Sequence, residues 1–171
     1  MQQKWNQNFD GEPMTDIPQK FLNAGCDVYM VMQLRHDEKI LDERFASMRE
    51  LHRRGKTPDP EHYEVTYYAD LPAMWQDVPN NEILEELFQV FNLSRPQDFE
   101  GHSLSVSDVI ALKRNGNVSV HYVDSIGFKD LPGFLEKQPE RPSVLMNLKE
   151  KCDAPECNPS GCKKERSDHE L

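Results

Sequence analysis

Two runs of this chain carry residue types that do chemistry. His102, Ser103, Ser105, Ser107 and Asp108 place a nucleophile, a base and an orienting acid within seven consecutive positions. Acyl transfer by such a set needs convergence in space beside an oxyanion site. Alternation along an extended segment separates these side chains instead, and no Gly-x-Ser-x-Gly elbow is present. The run therefore predicts a turn whose hydroxyls and carboxylate bond local backbone N–H groups where a strand begins. The second run is Cys152, Cys157 and Cys162, spaced C-x4-C-x4-C, with His169 seven residues beyond. Three thiolates and one imidazole suit tetrahedral zinc, although structural zinc sites usually open with two residues between paired cysteines. The alternative is a set of free thiols on a flexible tail in a reducing compartment. Cys26 is expected as a small buried hydrophobe in the first strand.

The other candidates are weaker. His36, His52, His62, His102 and His121 show no paired spacing of the H-E-x-x-H kind. Glu85 and Glu86 are neighbours, and on a helix neighbours point about 100° apart, a poor acid–base pair. Tyr63, Tyr67, Tyr68 and Trp75 read as sheet packing rather than a recognition patch. Phosphate-cradling loops, dinucleotide fingerprints and basic–aromatic interleaving are all missing. These observations favour a non-enzymatic protein without a cofactor, zinc on the tail being the one metal the residue types suit.

Charge is unevenly distributed. Residues 58–112 hold eleven acids and a single base, Arg95, so this stretch alone accounts for the whole net charge of −10. The acids expected at the surface are Glu61, Glu64, Asp70, Asp77, Glu82, Glu85, Glu86, Asp98 and Glu100. A field of one sign repels phosphate and attracts a basic protein surface. Direct nucleic-acid binding, which depends on clustered Lys and Arg, is disfavoured. Met1–Asp16 has no apolar run of the secretory type, and no segment reaches the roughly 20 apolar residues of a membrane span. The expectation is a soluble cytoplasmic protein.

The elements that position these residues follow from periodicity. Residues 1–24 read as a polar extension, 25–137 as one domain and 138–171 as a tail bearing the cysteines. Cys26 to Leu34 is short and almost continuously apolar, which predicts a central strand covered on both sides. Leu41, Phe45, Met48 and Leu51 make a helical stripe over Asp42 to Arg54, closed by Gly55. A strand is predicted at Tyr63–Tyr68, with Tyr63, Val65 and Tyr67 on one face. Asn80 or Asn81 caps a helix through Phe91 that buries Ile83, Leu84, Leu87, Phe88 and Phe91. Asp108–Lys113, Asn115-Gly116 and Val118–Tyr122 read as a hairpin on a type I′ turn. Leu131–Leu135 closes the domain with a short turn or helix. The order predicts an α+β class, a small mostly antiparallel sheet of three to five strands packed by two or three helices.

In this order the pieces resemble the YodL-like domain family. The resemblance rests on Asp27-Val28-Tyr29, Tyr63 to Tyr67, Ile83 to Phe88 with Phe91-Asn92, and Pro96 to Phe99. Gly101 to Ile110, Tyr122 to Phe128 and Pro132 to Leu135 are its most specific parts. It spans about residues 26–135 and leaves the cysteine tail out. It implies mobile-element biology in Firmicutes, and an accessory or interaction domain with no catalytic residue to carry over. The expected partner is a host or element-encoded protein with a basic surface. The expected role is counter-defence, an acidic face mimicking nucleic acid to block a restriction or CRISPR nuclease. The alternative is a regulatory module whose tail orders on zinc through Cys152, Cys157, Cys162 and His169.

Overall fold

The computed structural model describes residues 17–99 and 101–137. Strand β1 (Val28–Leu34) is buried at all seven positions. It lies between β2 (Tyr63–Asp70) and β3 (Val109–Arg114), and β4 (Asn117–Val123) and β5 (Phe128–Asp130) extend the sheet in the order β2-β1-β3-β4-β5. Every pairing is antiparallel. Asn115 and Gly116 take φ of 50° and 79° between β3 and β4, the left-handed pair that matches hairpin twist. The helices are α1 (Ile17–Asn23), α2 (Met48–Arg53) and α3 (Asn80–Leu93). The α+β class expected from the element order is the class observed.

Each face of the sheet has its own core. One face carries Val28, Met30, Met32, Val109, Ala111 and Tyr122 under α1, α2 and the loop between β1 and α2. The other carries Tyr29, Val31, Tyr67, Ile110 and Leu112 under α3, Trp75, Phe99 and Leu104. Lys113 and Arg114 alternate across these faces. Lys113 Nζ donates to the Leu22 and Ala24 carbonyls at 2.6 Å each, closing the C-terminal end of α1. Arg114 donates to the Trp75 and Gln76 carbonyls and to Asn80 Oδ1 at the start of α3.

Four local expectations are corrected. Tyr67 does not share a face with Tyr63 and Val65, because Val31 pairs Tyr67 while Met32 pairs Val65, leaving Thr66 as an extra residue. That β-bulge flips the alternation, so Tyr68 joins Tyr63 and Val65 while Tyr67 turns towards α3. The single helix over Asp42–Arg54 is two pieces, a 3-10 turn at Glu38–Glu43 and then α2. Ser47 and Glu50 form a capping box that starts α2 afresh. Phe45 takes a φ of 58° and gives its N–H to Ser107 Oγ, so Leu41 and Phe45 stand 53% and 65% exposed. The cap of α3 is Pro79 rather than an asparagine, since the Asn80 amide is engaged by Arg114. Cys26 is exposed and precedes β1. In addition, α1 lies within the stretch read as polar extension, and its Ile17 and Phe21 are buried in the core.

Candidate functional site

The His102–Asp108 run binds the end of the sheet together. Asp108 is buried, and its Oδ2 accepts from Ser105 N at 2.9 Å and Gln33 Nε2 at 3.0 Å. Gln33 Nε2 also donates to the His102 carbonyl at 2.8 Å. Ser105 Oγ donates to the Ser103 carbonyl, and the Ser107 carbonyl accepts from Tyr63 Oη at 2.9 Å. Burial pushes Asp108 up to about 6, against the opposing pull of Ser105 N–H, His102 and Gln33. Gly101 is held close here, because a Cβ would clash with the Gln33 amide and the Phe99 ring. The structural reading of the run is thus supported, with Gln33 as a partner that sequence reasoning missed. Its signal was a lone amide within a seven-residue apolar strand.

The predicted acidic residues do not form one patch. Glu61 precedes β2, while Asp70 ends it opposite Val28. Asp77, Glu82, Glu85 and Glu86 gather around α3, all exposed, and Glu64 points to the α3 side of the sheet. Asp98 is half-buried, accepting from Tyr67 Oη at 3.3 Å through Oδ1 while its Oδ2 has no partner. Tyr29 Oη beside it is also unpartnered, and burial raises that phenol well above its ordinary range. Glu100 lies outside the described residues, as do Cys152, Cys157, Cys162 and His169. Among the described residues no three His, Cys, Asp or Glu side chains gather as a metal site.

A groove of about 1030 Å³ opens beside the β4–β5 edge and the first turn of α3. Ser119 and His121 alternate with Val118, Val120 and Tyr122, so both face α3, and Asp130 is the register partner of His121 on β5. His121 Nδ1 lies 2.8 Å from Asp130 Oδ1, and its Nε2 lies 2.9 Å from Ser119 Oγ. Asn80 Nδ2 approaches Ser119 Oγ at 3.4 Å. Desolvation lowers His121 below the ordinary imidazole range, outweighing the upward pull of Asp130. A carboxylate only accepts, so the neutral ring carries its proton on Nδ1 and presents the Nε2 lone pair to Ser119. The sequence signal was alternation itself: Ser119 and His121 two residues apart, with the Asn115-Gly116 turn fixing the hairpin.

Sheet, helices and loop place the molecule among α+β domains built on an open antiparallel sheet. The model of the YodL-like domain family matches residues 28–134, and the chain belongs to that family. No curated protein and no solved structure matches it. The match covers all five strands, the His102–Asp108 run and Ser119, His121 and Asp130, and leaves α1 and the cysteine tail outside. Among the described residues no helix is long and apolar enough to cross a membrane.

Proposed function

We propose that this YodL-like domain is an accessory protein that works by binding a protein, with the acidic layer on α3 as its contact surface. One observation carries the reading. Asp77, Glu82, Glu85 and Glu86 are exposed and make no ion pair with any described residue, so their field is not spent inside the fold. Across the sheet, Lys56 pairs with Asp42 and Glu43, and Arg35 donates to the Tyr63 carbonyl. An unneutralised acidic helix attracts a basic surface and sets partner orientation and association rate.

The partner this chemistry fits is a nucleic-acid-binding protein whose basic groove the acidic helix occupies. Carriage on a mobile element, with the nuclease of a host defence system as target, is the biological setting that the family resemblance supports. The test is capture by the immobilised full chain from host lysate across a salt series. The expected result is a basic DNA- or RNA-binding protein whose retention falls steeply between low and physiological salt. Capture of acidic proteins alone, or retention indifferent to salt, would reject the mimicry.

A further inference from the structure

The groove holds, in correct order, the polar relay that the His102–Asp108 run only suggests. Ser119 Oγ, His121 Nε2, His121 Nδ1 and Asp130 Oδ1 are joined by successive contacts of 2.9 and 2.8 Å. The tautomer is the one a general base requires, since Asp130 holds the proton on Nδ1 and leaves Nε2 to draw on the serine hydroxyl. The neighbourhood is organised as well. Arg114 Nη1 donates to Asn80 Oδ1 at 2.6 Å, which turns the Asn80 Nδ2 donor towards Ser119. Arg114 is itself fixed by two backbone carbonyls, so the amide cannot swing freely. The first turn of α3 has no side-chain cap, and its Pro79 carbonyl serves Glu82 and Ile83. That leaves the Asn80 and Asn81 N–H groups outside the helical ladder, and both residues line the groove.

We propose that Ser119, His121 and Asp130 form an acyl-transfer site that hydrolyses small uncharged carboxylic esters, with Asn80 and the start of α3 as its oxyanion donors. Ser119 Oγ attacks the ester carbonyl carbon while its proton passes to His121 Nε2. The carbonyl oxygen, now an oxyanion, is met by Asn80 Nδ2 and the backbone N–H groups. Collapse of the intermediate breaks the bond to the alkoxy group, which leaves as the alcohol with the proton from His121. Water then gives a proton to His121 and attacks the acyl-serine. Release of the acid returns the proton to Ser119 and restores the site. Leu84 and Phe128, on the same side of the sheet as Ser119 and His121, supply apolar wall for an acyl chain, and Glu85, Asp130 and Glu136 disfavour anionic substrates. The relay is separate from the acidic-surface reading and would add a reaction to a domain expected to have none.

The full chain should be tested with p-nitrophenyl butyrate and with a fluorophosphonate probe followed by peptide mapping. The expected result is covalent labelling at Ser119 and hydrolysis that falls about 100-fold or more in S119A and H121Q. D130N should lose less, because Asp130 is 86% exposed and solvent already screens it. Thermal melts of each variant separate lost chemistry from lost fold. As a second measure, the thiol of S119C should be alkylated by iodoacetamide faster than that of S119C/H121Q. The proposal is overturned if folded wild-type protein is unlabelled at Ser119, if S119A hydrolyses as fast as wild type, or if the two thiols react alike.

Discussion

The two faces of the sheet each bury an apolar core but treat their polar groups differently. On the face under α1 and α2, the buried polar tips of the described residues have partners. Tyr122 Oη donates to the Ala46 carbonyl, Tyr63 Oη to the Ser107 carbonyl and Lys113 Nζ to the end of α1. On the face under α3, Tyr29 Oη, Asp98 Oδ2 and Arg114 Nε are buried without partners. That face also carries the Ser119–His121–Asp130 relay and the acids around α3, which make no ion pair with any described residue. Fully satisfied polar networks rigidify a structure, whereas a buried polar group without a protein partner calls for a further one, such as a water, an ion or a ligand. On the proposed reading the first face is scaffold and the second is the working side.

The largest test of this contrast is Asp108, which contacts Gln33 on the α3 side of the sheet. Its carboxyl is raised from 3.8 to about 6 by burial. Between those values the unfolded chain has released the proton that the folded chain keeps, so the contribution to stability is full below about pH 4 and is lost as pH rises through about 6. The loss should be about 2–3 kcal/mol in denaturant melts across that window, and D108N should flatten it. His102, Arg44 and Tyr63 also face this carboxyl, so H102N is the control for a histidine contribution. If D108N retains the wild-type slope, the burial does not act as described.

A smaller effect sharpens the comparison itself. Tyr122→Phe strands the buried Ala46 carbonyl and should cost about 1–2 kcal/mol. Tyr29→Phe, across the sheet, removes a hydroxyl without a protein partner and should change stability by less than about 0.5 kcal/mol. Equal costs at the two tyrosines would show that the Tyr29 hydroxyl has a partner after all, and the contrast would weaken.

Much of the scaffold was legible in the sequence because it follows from periodicity. The continuous apolar run of β1, the Asn115-Gly116 hairpin and the buried stripe of α3 need only local patterning. Errors arose where a single residue overrode the period. Thr66 bulges β2, with its hydroxyl on the Val31 carbonyl, and exchanges the faces of Tyr67 and Tyr68. Ser47 restarts a helix whose stripe had seemed continuous. The groove was less legible because its relay depends on register between strands, and nothing in the spacing of His121 and Asp130 announces that β4 and β5 pair there. Serine, histidine and aspartate crowd along residues 102–108, whereas the sheet brings Ser119, His121 and Asp130 together from two strands.

If the α3 side is the working face and the α1/α2 side is scaffold, charge removal on the two sides has different effects on partner binding. The most direct measurement captures partner with the full chain as wild type, as E82Q/E85Q/E86Q and as R49Q/R53Q, under one low-salt condition. All five side chains are exposed, so each variant should keep the wild-type melt to within about 0.5 kcal/mol. The basic partner should be lost with the glutamate variant and retained with the arginine variant. Equal loss in both variants, or retention in both, would contradict it.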